Sequence, residues 1–182
     1  LKTTVKFFIT LLLAGFVCMS CKTDKKTKPV DEQGLINKDL NATDSKSEVT
    51  FEDAHDQKVY NLYLSIKAAL VNSKSKEVQA EAKKLEATLG DSEGDAQFKA
   101  VSKLVSLTKD ISKQRDFFVA LTEEMERVIG ESKIISGEVY KQFCPMAFDG
   151  KGGYWLSDSK EIRNPYFGNK MLVCGDVEEV FK

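Results

Sequence analysis

The stretch Val59-Tyr60-Asn61-Leu62-Tyr63-Leu64-Ser65-Ile66-Lys67-Ala68-Ala69-Leu70 decides the architecture. Val59, Leu62, Tyr63, Ile66, Ala69 and Leu70 recur at helical spacing along one face, while Asn61, Ser65 and Lys67 fall elsewhere around the wheel. An amphipathic helix starting near Phe51 follows, and an amphipathic helix needs partners. Asn72-Ser73-Lys74-Ser75 offers capping oxygens for a second one, with Val78, Ala82, Leu85 and Leu89 at steps of four, three and four before Gly90, which can supply a left-handed stop. Phe98, Val101, Leu104, Val105 and Leu107 mark a third helix. A fourth is capped by Asp110, shows Phe117, Phe118, Leu121, Met125, Val128 and Ile129 on its apolar face, and is closed by Gly130. Short connections favour antiparallel neighbours, so residues 51–130 are expected to form an antiparallel four-helix bundle.

Beyond Gly130 the helical period fades. Gly137, Gly150, Gly152, Gly153, Asn164-Pro165, Gly168 and Gly175 divide residues 131–182 into turns and short segments. Tyr154-Trp155-Leu156 and Lys170-Met171-Leu172-Val173 are the expected strands. The fold class is therefore mainly α, a bundle carrying a small irregular or β cap, with 51–182 as one globular domain.

The front of the chain has a different character. Lys2 and Lys6 flank an apolar run from Phe7 to Val17, and Cys18-Met19-Ser20 leads into Cys21. This is the layout of a secretory signal over residues 1–20, with an apolar run shorter than the roughly 20 residues a spanning helix takes. Ser20 before Cys21, with Lys22-Thr23-Asp24 after it, resembles a bacterial lipoprotein cleavage box, although Cys18 stands where such boxes usually have leucine. Lipidation of Cys21 would anchor the protein to a membrane, and a periplasm-facing cell-envelope location is expected. Residues 21–50 are too polar to pack and read as a tether, with an end-to-end distance on the order of 30 Å as a flexible coil.

Charge excludes one class of partner. With 27 Lys+Arg against 28 Asp+Glu and no basic stripe, nucleic acid is not an expected partner. Four cysteines reduce to two in the folded part, Cys144 and Cys174, once Cys18 leaves with the signal and Cys21 carries lipid. Each has a methionine beside it, as Cys144-Pro145-Met146 and Met171-Leu172-Val173-Cys174. Thiolates and thioethers are the donors that a soft cation such as Cu(I) or Ag(I) selects, so Cys144, Met146, Met171 and Cys174 are the candidate metal ligands. Pro145 restricts the backbone between the first two, and Trp155 either covers the site or packs beneath it. An exported cysteine pair also ordinarily bridges, and a Cys144–Cys174 disulfide with the methionines as core filler is the alternative. Both readings stand.

The C-terminal series Cys144-Pro145-Met146-Ala147, Trp155-Leu156-Ser157, Glu161-Ile162, Asn164-Pro165-Tyr166-Phe167-Gly168, Met171-Leu172 and Cys174-Gly175 resembles the family catalogued as domain of unknown function 3347. Gln114-Arg115 with Phe118 and Leu121 is similar to that family's last-helix pattern, so the resemblance spans roughly Asp53 to Val177. It implies company with small exported bacterial proteins and with periplasmic adaptor subunits of copper and silver efflux pumps. Metal-efflux or other envelope proteins are the partners it implies. Tyr140 with Cys144-Pro145-Met146 is similar to a short heavy-metal-binding motif whose next residue is histidine; here it is Ala147.

Other motifs carry less. Gly150-Lys151-Gly152-Gly153 lacks the spacing and the hydroxyl residue of a phosphate loop and reads as a turn, as does Asn164-Pro165 with the aromatics after it. Arg115 on an apolar helix is expected to hold the bundle and the cap together. His55, the only histidine, gets no role. A cysteine nucleophile needs a base within reach, and no hydrolase or nucleotide motif is present, so the protein is expected not to be an enzyme.

Overall fold

The computed structural model describes residues 38–182. The expected signal over 1–20, the lipidated Cys21 and the first part of the tether lie outside the described residues. Among the described residues, no helix is long and apolar enough to cross a membrane.

Four helices, α1 (Ala54–Val71), α2 (Ser75–Thr88), α3 (Glu93–Leu107) and α4 (Ile111–Glu131), pack in sequence, and α4 returns against α1. A short β1 (Thr50–Phe51) pairs with β2 (Ile134–Ser136). The cap is a three-stranded antiparallel sheet of β3 (Val139–Cys144), β4 (Gly153–Ser157) and β5 (Asp176–Phe181), with β3 in the middle. The mainly helical bundle with a small cap is thus the architecture the chain adopts.

The caps explain the helix starts. Asp53 accepts from the backbone N–H groups of His55 and Asp56, Ser92 from Asp95, and Asp110 from Lys113, each satisfying donors that a first helical turn leaves open. Two expected stops are not used. α2 ends through an extended Leu89 rather than a left-handed Gly90, and Gly130 lies inside α4, which runs one residue further. The oxygens of 72–75 do not cap α2 either. The Asn72 side chain instead donates back to the Ala68 carbonyl, closing α1.

The core is built from the faces the periodicity marks. Val59, Tyr63, Ile66, Leu70, Val78, Leu85, Phe98, Val105, Phe118, Leu121 and Met125 are fully or almost fully buried. Leu104 and Leu107 fall outside it, exposed on α3. Tyr63 stacks on Phe118 with ring centroids 5.2 Å apart, and Phe118 meets Tyr166 of the cap edge-on at 6.1 Å, so one core runs through both halves.

Three expectations change here. The tether does not reach residue 50, because residues 38–50 bond along the domain. Leu40 N–H donates to Asn72 Oδ1 at 2.9 Å, Ser47 N–H to the Asp158 carbonyl at 2.6 Å, and Glu138 N–H to Ser47 Oγ at 2.6 Å. The expected strand at 170–173 is absent. A 3-10 turn (Gly168–Lys170) and a turn occupy that stretch, while the third strand forms later, at β5. Lys67, placed by the wheel away from the apolar face, is buried.

Candidate functional site

The topology of the small sheet brings the cysteines together. Cys144 is the last residue of β3, and β5 runs antiparallel to it with Asp176 opposite Phe143. The residues just before β5 therefore arrive beside the end of β3, and Cys174 is two residues before it. Cys144 Sγ and Cys174 Sγ stand 2.8 Å apart, Cys144 buried and Cys174 partly exposed. That separation is longer than the roughly 2.05 Å of a disulfide, and both are free thiols in this structure.

Three contacts hold the Cys174 side of the pair in place. Asn164, fully buried, donates through Nδ2 to the Cys174 carbonyl at 2.8 Å while its Oδ1 accepts from the backbone N–H of Tyr166 at 2.8 Å and of Phe167 at 3.3 Å. Gly175, at φ 139°, lies so close to the Trp155 ring and the Phe143 carbonyl that a Cβ would come within 2.8 Å of both. Trp155 itself is fully buried, and its indole N–H donates to Gln142 Oε1 at 2.6 Å. Of the two roles expected for it, Trp155 takes the packing one, beneath the loop that carries Cys174.

Cys174 holds its proton firmly. The hydrogen bond with Cys144, then burial and the neighbouring sulfur's charge, push the Cys174 thiol up to about 11, against a smaller opposing pull from the Met146 backbone N–H. Any cation taking the Cys174 sulfur must displace that proton, so its binding strengthens as pH rises.

The methionines are placed differently. Met146 is 56% exposed and lines a groove of about 330 Å³ with Arg115, Asp116, Phe148 and Phe167, and Met171 is 37% exposed. Ala147, at the position where the short heavy-metal motif carries histidine, is buried in the core. Among the described residues, no group of three or more His, Cys, Asp or Glu side chains is gathered for a metal ion. Any metal reading therefore rests first on the two thiols, with Met146 and Met171 exposed on the same cap.

Arg115 ties the cap to the bundle, as expected, but through carbonyls rather than a carboxylate. Its Nε donates to the Pro165 carbonyl at 2.8 Å, and Nη2 donates to the Leu70 carbonyl at 3.1 Å and Ser73 Oγ at 3.0 Å. Residues 150–152 form a turn leading into Gly153 of β4, with the Ala147 carbonyl accepting from Gly150 and Gly152. His55 is exposed in the first turn of α1. Two residues that position the thiols were missed by sequence reasoning. Asn164 was visible as a turn residue without its link to Cys174, and the buried Gln142 looks like an ordinary polar strand residue.

Fold and site together define a small, mainly helical domain with a dithiol in its β cap. Residues 59–137 match the model of a family described as "Protein of unknown function (DUF3347)", and over those residues the chain is a DUF3347 domain. The match covers most of α1 through to Gly137, so the Cys144 and Cys174 segments lie beyond it. No curated protein and no solved structure matches the chain.

Proposed function

We propose that this is a non-enzymatic soft-cation-binding domain of the cell envelope, in which reduced Cys144 and Cys174 hold one Cu(I) or Ag(I). The observation that carries the reading is the meeting of two sulfurs at 2.8 Å from segments thirty residues apart, at the rim of the cap. Met146 and Met171 supply exposed thioethers through which an ion passes to a partner by ligand exchange. A lipid on Cys21 tethers the domain to the membrane, and metal-efflux or other envelope proteins are the receivers. With thiolate–metal bonds near 2.3 Å, two sulfurs on one ion sit about 4 Å apart, so the pair opens by about 1 Å on loading.

A second reading is favoured by the same distance. The sulfurs are nearer to bonding than to ligand spacing, and a Cys144–Cys174 disulfide would staple the cap, contributing roughly 3–4 kcal/mol in the chain-entropy model. The domain is then a structural or interaction module. Thiol quantification on natively purified protein, followed by anaerobic Cu(I) titration of the reduced form, separates the two. One equivalent bound, lost in Cys174→Ser with the helical signal intact, supports the soft-cation reading. No stoichiometric uptake by fully reduced protein removes it, and an absence of free thiols in the native protein then leaves the staple.

A further inference from the structure

The two thiols of the cap differ in what can reach them. Cys144 is fully buried, and the residue opposite it across the β3–β4 pair is Gly153. Side chains opposite one another in an antiparallel pair share a face of the sheet, and on that face a Cβ at Gly153 would run into the rings of Tyr166 at 2.7 Å and Phe148 at 2.9 Å. Those rings meet edge-on with centroids 5.0 Å apart and help to close the Cys144 side off from solvent.

Cys174 is on the open side. It is partly exposed in the loop between the 3-10 turn and β5, and Val173 before it, at 70%, is the most exposed large apolar residue among the described residues. An incoming reagent therefore meets Cys174 first, with Cys144 Sγ already 2.8 Å from the sulfur it would modify. Bonding distance is a shortening of about 0.75 Å from where the two sulfurs stand. Exposed disulfides are the labile ones, open to exchange, and this pair would close with one of its sulfurs exposed.

We propose that the pair carries out ordered thiol–disulfide exchange with an accessible disulfide, Cys174 attacking first and Cys144 resolving. The Cys174 thiolate, its proton lost to water, attacks one sulfur of the incoming disulfide, whose S–S bond breaks as one half leaves as a thiolate. Cys144, losing its own proton, then attacks Cys174 Sγ. The mixed disulfide breaks, the second half leaves as a thiolate, and both leaving groups take up protons. The incoming disulfide is thereby reduced to two thiols, and the domain is oxidised by two electrons to a Cys144–Cys174 disulfide. This rests on the same reduced pair as the soft-cation reading and adds its regulation, because sulfurs bonded to one another are no longer thiolate donors and the site is closed to a soft cation.

The test treats the reduced, metal-free full chain anaerobically with oxidised glutathione and, in a parallel arm, with insulin, at mildly alkaline pH because the Cys174 thiol is raised. Peptide mass mapping locates the adducts over time. The parent quenched early is expected to carry glutathione on Cys174 and none on Cys144, and at the end to hold the Cys144–Cys174 bond with no adduct. Cys144→Ser is expected to accumulate the Cys174 adduct, and folded Cys174→Ser to keep Cys144 a free thiol until urea opens the cap. Should either variant fail to fold, the early quench of the parent decides alone. Modification of Cys144 first or as fast as Cys174, a lasting Cys174 adduct beside a free Cys144, or reaction with neither disulfide overturns the proposal. The faster arm assigns the partner to small disulfides or to protein disulfides. Cu(I) titration of the same preparations stands or fails separately: uptake without exchange keeps the soft-cation reading and removes this one, and exchange without uptake does the reverse.

Discussion

The helices and the cap solve the problem of burial by different physics. Along α1 to α4 the buried residues are mostly apolar, with Lys67, Ser102, Gln114 and Thr122 among them, and recur at helical spacing, so stability there comes chiefly from area removed from water, which is non-directional and tolerant of small shifts. The cap buries Gln142, Ser157, Ser159 and Asn164 completely or nearly so, and each finds its hydrogen-bond partner. Directional contacts of this kind fix atoms to within tenths of an ångström. The two thiols sit over the second kind of interior.

Removing area should do the greatest damage. Phe118 is fully buried, stacks on Tyr63 and touches Tyr166 of the cap, so Phe118→Ala is expected to cost about 4 kcal/mol. Urea unfolding followed both by helical signal and by Trp155 fluorescence checks it. A single coincident transition, shifted to lower urea, means the two interiors unfold together; separate transitions would break the picture of one shared core.

Removing direction should do less to stability but more to the site. Asn164→Ala deletes one donor and one twice-used acceptor and is expected to cost about 3 kcal/mol. Because Asn164 holds the Cys174 carbonyl, the same variant should raise the rate at which Cys174 reacts with a thiol reagent, at urea concentrations far below the transition. Phe118→Ala should not. Equal reactivity in the two variants would show that the cap's hydrogen bonds do not position the sulfur.

The smallest effect has the opposite sign. Lys67 is the one charge buried within the helical interior, and below pH 8 its ammonium is protonated in both folded and unfolded chains, so the whole cost of burying it is present. Between about 8 and the ordinary lysine value of 10.5, the folded chain releases its proton first and stability rises. After allowing for the lost bond to Ser157, Lys67→Met is expected to be about 2 kcal/mol more stable than the parent at pH 7. The gain should shrink as the pH is raised to 10. Thermal unfolding of both proteins across that range checks the sign as well as the size.

The same contrast explains what could be read from the sequence. Helical spacing marked Val59, Tyr63, Phe98, Val105, Phe118 and Met125 because a non-directional core leaves its imprint as a period. Asp110 announced its helix because a first turn has open donors nearby in sequence. Gly90 and Gly130 misled because glycine permits a left-handed stop without requiring one. β3 was missed because Lys141 and Gln142 interrupt its apolar pattern, and β5 because Asp-Val-Glu-Glu-Val-Phe looks like a solvated tail. The candidate thiols were legible from their chemistry. What set them face to face was the pairing of β3 with β5, a long-range event with no local signature. Lys67 was misplaced because a wheel gives the direction of a side chain and not what lies in that direction.

The exposed β5 has a consequence for self-association. As an outer strand of the sheet it offers unpaired backbone groups along its open side, the surface on which two copies would zip together. Asp176, Glu178 and Glu179 stud that strand with like charge. Any second copy approaching along that edge meets negative charges, and the strand's acidity opposes stacking into ribbons.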